Sequence, residues 1–157
     1  MSLNPIHHWR QYRRLTRQER RLLWPALGYV LITRICLALL GLKRCLSLLD
    51  GRDANEGQGR NWEAQARAIL RAGNRVPGAR CLVRAIALRW WMRRSGEPAE
   101  LAIGVKSAEA QRPDVHAWVE NRGLTWDWPR DKPLAYRIIS RDNRPVAGDQ
   151  RQGRAAG

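Results

Sequence analysis

The chain has 157 residues, and its 29 Lys and Arg against 14 Asp and Glu give a formal net charge of +15 at pH 7. This length allows one domain with a proper hydrophobic core and is too short for two of ordinary size. The charge favours acidic partners such as nucleic acid, anionic lipid or an acidic peptide, but no basic run is interleaved with the aromatics of a stacking platform. Nucleic acid is therefore not expected as a partner.

The N-terminal 50 residues predict helices. The stretch Thr16-Arg-Gln-Glu19 has the form of a capping box and stands just before an apolar run at residues 22–42. Pro25 is well placed at the first position of a helix, because its missing N–H would have no partner there. We therefore expect a short helix at about 17–23 and a longer one at about 25–48.

The apolar run at 22–42 also has the length of a signal-peptide core or a membrane span. We reject both, because Arg34 would lie near the bilayer centre at a cost of roughly 2.5 to 3.5 kcal/mol and positive charge flanks the run on both sides. Membrane association through this run remains an alternative. The preferred interpretation is a helical segment, residues 1–50, whose apolar face covers the core or docks a partner protein, with Arg34 as a polar contact within it.

A linker and two further helices follow. Residues 51–60 contain three glycines and no large apolar residue, which predicts a flexible connection. Asn61 can cap a helix from Trp62 to about Ala72. After a loop, apolar residues recur from Leu82 to Trp91 at helical spacing, so a third helix is expected to begin close to Cys81.

The pattern changes to alternation after this helix. Four short strands are predicted, at Leu101–Val105, Val115–Glu120, Leu124–Trp128 and Leu134–Ser140. Helices followed by strands predict an α+β domain in which the Cys81 helix packs on an antiparallel four-stranded sheet. The core is expected to span residues 61–140, and the Gly- and Arg-rich tail at 141–157 is expected to be disordered.

Cys81 is the residue with the clearest chemical potential. Pro77 and Gly78 break the chain just before it, so the thiol is expected in the first turn of the helix. There the free backbone N–H groups and the positive end of the macrodipole favour a thiolate, and Arg80 and Arg84 add positive charge. The three cysteines lie at wide spacings that form neither a disulfide framework nor a zinc pattern, so a reducing compartment, the cytoplasm, is expected and no metal.

A base and its orienting group are predicted on the strands. His116 lies in a strand with core-like neighbours, and Asp127 stands between two tryptophans on the next one, where a carboxylate needs a partner. If the hairpin turns at Asn121-Arg122, His116 stands directly opposite Asp127. Cys81, His116 and Asp127 then form a possible catalytic triad.

Three segments resemble a known family in their order and spacing. They are Val76-Pro-Gly-Ala-Arg-Cys81 with the following helix, Gly96-Glu-Pro-Ala-Glu-Leu-Ala-Ile-Gly-Val105, and His116-Ala-Trp-Val-Glu120. They resemble the transglutaminase-like leader peptidase of lasso peptide biosynthesis, the B protein, whose fold is similar to that of papain-like proteases. The resemblance implies that Cys81 is the nucleophile and His116 the base. The sequence after His116 lacks the Asn-Asp or Asp-Asp ending expected for the family. Asp127 is therefore the better third member and Asp131 the fallback.

The resemblance also implies partners. Members of this family remove the leader from a ribosomally made precursor so that an ATP-dependent cyclase can join the new amino terminus to an acidic side chain. No cofactor is implied for proteolysis itself, and any ATP dependence would come through the cyclase. Larger members carry a leader-recognition module with strands, whereas residues 1–50 here predict only helices. The chain is thus expected to be the peptidase half of a split system that works with a separate leader-recognition protein.

Two other functions are compatible with the sequence. An amidase or acyl transferase could use the same triad on another substrate, since only the groove would differ. A non-catalytic basic adaptor could bind membrane through residues 22–42 or nucleic acid through its arginines, and its binding would be sensitive to salt and indifferent to Cys81.

Overall fold

A computed structural model describes residues 17–50, 62–106, 114–122, 124–126, 136–142 and 144–145. The expected linker at 51–60 lies outside these residues. The described part contains three helices and five strands. The helices are α1 (Arg17–Leu49), α2 (Trp62–Gly73) and α3 (Cys81–Arg94), and the strands are β1 (Glu100–Lys106), β2 (Asp114–Asn121), β3 (Leu124–Trp126), β4 (Arg137–Arg141) and β5 (Arg144–Pro145).

Helix α1 is interrupted at a different residue from the one predicted. Pro25 lies inside the helix, so the expected break between 23 and 25 is wrong. Pro25 and Arg21, whose carbonyl loses its helical partner to the proline, are both exposed, so water can bond to that carbonyl. The break lies instead at Gly41, whose φ of 73° and ψ of 175° are a conformation that glycine adopts most readily.

The described elements stack in three layers. Helix α1 packs against α2 and α3, and α3 packs in turn against β2 and β1. Aromatic rings join α1 to α3. Tyr29 of α1 stacks on Trp91 of α3 with ring centroids 5.1 Å apart and meets the edge of Trp90 at 4.6 Å. The N-terminal helical segment is therefore part of the same hydrophobic core as the Cys81 helix.

The five strands form one antiparallel sheet in the order β3-β2-β1-β4-β5. Strand β1 is central, pairing along its whole length with β2 and over Ala102 to Val105 with β4. One sheet face, with Leu101, Ala117 and Val119, joins the helical core. The other face carries a small cluster around Trp118 and Tyr136. The α+β prediction is confirmed, with one strand more than expected.

The extra strand lies in the segment predicted to be disordered. Strand β4 extends to Arg141, and β5 at Arg144–Pro145 pairs with it, so the tail prediction is wrong for these residues. The anchor is Asp142, which accepts hydrogen bonds from the backbone N–H of Leu101 at 2.9 Å and from Nε of Arg89 at 2.8 Å. The composition of the tail does not reveal that its Asp142 contacts a buried guanidinium.

Arg89 is the centre of this ion cluster. Its side chain is only 4% exposed although it lies on the apolar helix α3. It contacts Asp142 beyond β4 and Asp50 at the end of α1, and Arg93 contacts the same two carboxylates. Burying a guanidinium requires such partners, because an uncompensated charge in the core is strongly unfavourable. The cluster joins the helical layers to the sheet.

Candidate active site

Helix α3 begins at Cys81, the residue where the sequence pattern placed its start. Arg80 precedes it in an extended conformation (φ −75°, ψ −177°), and the Arg80 side chain makes no capping hydrogen bond. The first N–H groups of an α-helix have no partner within the helix, so those at the start of α3 can bond to another acceptor. Cys81 is partly exposed, so its thiol lies where both the helix terminus and a substrate can reach it.

The loop before Cys81 is held by helix α1. Gly78 has a φ of 75°, in the left-handed region, and a Cβ added there would lie 3.1 Å from the guanidinium carbon of Arg34. The sequence predicted that Arg34 would be a polar contact within the exposed apolar face, and the structure differs from this prediction. Arg34 turns inward and lies over the glycine that sets up the start of α3.

The other two cysteines are in a different environment. Cys36 and Cys45 are both buried in α1, on either side of the Gly41 break. Burial raises the pKa of the Cys45 thiol to about 12, and a hydrogen bond with Cys36 adds to the shift. Such a thiol is not ionised at neutral pH, and it is not accessible. Cys81 is therefore the cysteine available for chemistry.

A cleft of about 230 Å³ opens beside Cys81, between α2, α3 and β2. Its floor is apolar and includes Ile69, Leu88 and Trp126. The polar lining residues are Arg80, Cys81, Arg84 and His116. Nε of Arg84 donates a 2.8 Å hydrogen bond to the carbonyl of Ala79, which fixes this cation close to the thiol loop.

Cys81 and His116 therefore line one cleft although they are 35 positions apart in the sequence. Within the described residues, β3 pairs with β2 only from Val119 to Asn121. The ring of His116 lies with Trp118 and Tyr136 on the outer face of the sheet, so His116 borders the cleft from the part of β2 that precedes this pairing. The cleft is thus lined by one residue with a thiol and one with an imidazole, the groups used for nucleophilic attack and proton transfer.

The ring of His116 is enclosed by aromatic neighbours. Its centroid lies 5.4 Å from that of Tyr136 and 6.3 Å from that of Trp118. The hydroxyl of Tyr136 donates a 2.6 Å hydrogen bond to Asp114, and the indole N–H of Trp118 donates to Glu120 at 3.1 Å. These hydrogen bonds hold both neighbouring rings in place. The rings in turn restrict the space in which the imidazole can lie.

Sequence reasoning did not identify Tyr136 and Gly104 as residues near the site. Gly104 pairs with His116 across β1 and β2, and a Cβ there would lie 2.7 Å from the Trp118 ring and 2.9 Å from Cβ of Tyr136. The glycine therefore makes room for the aromatic cluster. The available signal was an isolated glycine inside an alternating strand, which marks a close approach.

The predicted hairpin register is wrong. Asn121 pairs with Leu124, so the turn is not Asn121-Arg122 as predicted, and Val119 pairs with Trp126 where the prediction paired it with Leu124. Arg122 has a φ of 47°, as a tight hairpin turn requires. The pairing is displaced by two residues, so the register argument that set His116 opposite Asp127 no longer holds. Asp127 and Asp131 themselves lie outside the described residues, and the triad with Cys81 and His116 stays a prediction.

The described residues contain no group of three or more His, Cys, Asp or Glu that could hold a metal ion. The arrangement thus provides a thiol at a helix start and a histidine in one cleft, on an antiparallel sheet packed against the helix. That combination defines a protein with the framework of a cysteine hydrolase or acyl transferase.

Comparison with known families agrees with this class. The model of the Transglutaminase-like superfamily matches residues 29–141, which include Cys81, His116 and most of α1. The chain belongs to this superfamily, whose members are generally cysteine-dependent hydrolases or acyltransferases. No curated protein and no solved structure matches the chain significantly.

Proposed function

We propose that this protein is a cysteine peptidase that removes the leader from a lasso peptide precursor before macrolactam formation. The observation that carries the proposal is that Cys81, at the start of α3, and His116, on β2, line the same cleft. Membership of the superfamily supports the chemistry, and the resemblance of the three sequence segments to the B protein supports the substrate.

The proposed reaction has two stages. In the first, His116 takes the proton of the Cys81 thiol and the sulfur attacks the scissile carbonyl. The C–N bond then breaks, His116 passes the proton to the leaving amine, and a thioester remains. In the second, His116 takes a proton from water, the water oxygen replaces sulfur at the carbonyl, and the thiol is restored. The N–H groups at the start of α3, which the Arg80 side chain does not cap, suit the negative oxygen that develops in both stages.

Asp127 is the proposed third member, with Asp131 as the fallback. Its role would be to hold His116 in the tautomer that leaves one nitrogen for the thiol and to stabilise the imidazolium. The aromatic enclosure of His116 by Trp118 and Tyr136 supports an orienting environment, since it limits ring movement whichever carboxylate completes the triad.

The direct test is cleavage of a synthetic lasso precursor that spans its leader and core, followed by mass spectrometry. The proposal expects one cut that releases an intact core with a free amino terminus, and no cut by Cys81→Ala. If wild-type protein, supplied with its recognition partner, leaves every precursor intact while Cys81 still reacts with iodoacetamide faster than a free thiol, leader removal is the wrong activity for this site.

The proposed partners are the precursor leader, a separate leader-recognition protein and an ATP-dependent cyclase that uses the released core. The proposed location is the cytoplasm, where the three thiols stay reduced. The cleft supports a need for a recognition partner, because 230 Å³ accommodates a few side chains and cannot enclose a leader peptide.

Acyl transfer is the alternative that the superfamily itself favours, since its members include acyltransferases. The two reactions share the thioester and differ in whether water or an amine resolves it. Cleavage in the presence of a primary amine distinguishes them. A peptidase yields the free carboxylate, whereas a transferase yields the amide as its main product.

A further inference from the structure

Helix α1 presents an apolar stripe to solvent. Its members are exposed large side chains repeated at helical spacing, and several are more than half exposed. They are Trp24 (70%), Leu31 (45%), Ile32 (50%), Ile35 (56%) and Leu39 (77%). Over 15 residue steps the stripe is about 22 Å long, at about 1.5 Å per residue. Contiguous exposed apolar surface of this size marks an interaction site.

The opposite face of the same helix is committed to the core. Leu23, Ala26 and Val30 are at most 3% exposed, and Thr33 is fully buried. The part of α1 from Arg20 to Leu49, which includes the break at Gly41, has the length and composition to cross a membrane, with a mean hydropathy of 1.8 in its most apolar window, of which 22% is buried. If α1 crossed a membrane, its buried face would have to leave the hydrophobic core that it covers. The helix can meet a lipid surface only along its length.

Charge indicates which occupant suits the stripe. Residues 20–49 contain no Asp or Glu, and exposed cations stand at both ends of the stripe, Arg21 at one and Lys43 and Arg44 at the other. Between them no exposed polar side chain interrupts the line from Trp24 to Leu39. A specific protein interface carries about one hydrogen bond per 100–200 Å², which this stripe could not provide. Basic ends around an uninterrupted apolar face match the chemistry of an anionic bilayer surface.

We propose that α1 binds the protein to an anionic membrane surface, lying in the plane of the interface with the stripe among the upper acyl chains and the basic ends at the headgroups. Trp24 at one end is suited to the headgroup level, where indole rings concentrate. The cleft lies between α2, α3 and the sheet, whereas the stripe faces away from α2 and α3. The bound protein would therefore keep its cleft open to the aqueous phase.

The test is sedimentation of the whole chain with vesicles. One set contains equal parts phosphatidylglycerol and phosphatidylcholine, and the other contains phosphatidylcholine alone. We expect binding to the anionic vesicles at low salt, weaker binding as salt rises, and weak binding to the neutral set. Ile35→Glu should lower the partition coefficient about tenfold or more. It removes an aliphatic side chain that would lie among the acyl chains and adds a negative charge that the anionic lipids repel.

The matched control is Ile139→Glu, since Ile139 is 45% exposed but lies on β4, away from the stripe. It should bind as the wild type does, and both variants should keep the wild-type unfolding midpoint. Binding that Ile35→Glu leaves unchanged, or no binding to anionic vesicles, overturns the proposal. A dimer, or a complex with the leader-recognition protein, that Ile35→Glu dissolves in the absence of any vesicle binding would assign the stripe to that protein instead. None of these measurements depends on peptidase activity.

Discussion

Nε of Arg89 donates a 2.8 Å hydrogen bond to Asp142, joining the middle of helix α3 to the residue that follows β4. The two residues are 53 positions apart, and the same carboxylate oxygen also accepts from the backbone of Leu101. The pair therefore fixes the position of the sheet relative to the helix that begins with Cys81.

Asp142→Ala is expected to lower the free energy of unfolding by about 1.5–3 kcal/mol, because it leaves buried Arg89 with one carboxylate partner fewer. Asp50 retains its contact with Arg89, which keeps the loss below that of a fully unpaired charge. Urea denaturation measures it. Glu63→Ala breaks an exposed pair with Arg67 and should cost about 0.5 kcal/mol or less. Equal losses for the two variants would contradict a structural role for the Arg89 cluster.

Cys81→Ala should abolish precursor cleavage and leave the unfolding midpoint near that of the wild type, because Cys81 is partly exposed and its loss removes little buried volume. Cys36→Ala and Cys45→Ala should stay active. Iodoacetamide at pH 8 should label Cys81 alone in the folded protein, because the pKa of buried Cys45 is raised to about 12 and that thiol stays protonated. Cleavage by a well-folded Cys81→Ala protein would exclude the thiol mechanism.

His116→Ala should lower kcat/KM for the precursor by about 100- to 10,000-fold, as expected for loss of a general base. Asp127→Asn should cost less, since an orienting residue acts through the histidine, and Asp131→Asn is the control. The alkylation rate of Cys81 near pH 7 provides a readout that does not need the substrate, and it should fall in His116→Ala. A silent Asp127→Asn beside a damaging Asp131→Asn would transfer the third role to Asp131.

Gly104→Ala should destabilise the protein by about 1–3 kcal/mol and reduce cleavage, because the added methyl would overlap the Trp118 ring at 2.7 Å and displace the aromatic neighbours of His116. Gly28→Ala is the matched control. Its Cβ would meet nothing within 4 Å, and a helical position gains up to about 1 kcal/mol from this change. Should Gly104→Ala be as stable and as active as the wild type, the aromatic enclosure would not position His116.

The isolated chain should process its precursor slowly, and a separate leader-recognition protein should accelerate it by tethering the substrate. A short flexible connection raises the local concentration to the millimolar range without any new contact at Cys81. Titrating the recognition protein against fixed enzyme, with the full precursor and with a leaderless core, measures the effect. Full-rate cleavage by the chain alone, unchanged by the recognition protein, would refute the split system.

The start of α3 could be predicted because local signals agree there. Pro77 and Gly78 interrupt the chain, and the apolar period begins at once, so the helix had few other places to start. The approximate first and last residues of β1 and β2 could be predicted in the same way, from the alternation of apolar and polar residues. Both predictions depend on neighbours in the sequence, and that is why Cys81 and His116 could be picked out before their cleft was seen.

The errors have a different physical origin. The helix breaks at Gly41 and continues through Pro25. Both outcomes depend on which face of α1 is exposed, and that is decided only when α1 packs on α2 and α3. The hairpin register changed because Arg122 adopts a positive φ that glycine or asparagine would have signalled more clearly. The burial of Arg89 was not predicted, since its partners Asp50 and Asp142 are far away along the chain.

The contact between Arg34 and Gly78 has a practical consequence for dissecting the molecule. A fragment that begins at residue 61 would retain Cys81 and His116 yet lose both the guanidinium over the thiol loop and the Asp50 ligand of Arg89. It would also uncover the surfaces of Trp90 and Trp91 that Tyr29 covers. Work that seeks a minimal fragment with the candidate site, or transplants this site into a chimera, should therefore carry α1 along with the sheet, because the outermost helix shapes the loop before Cys81.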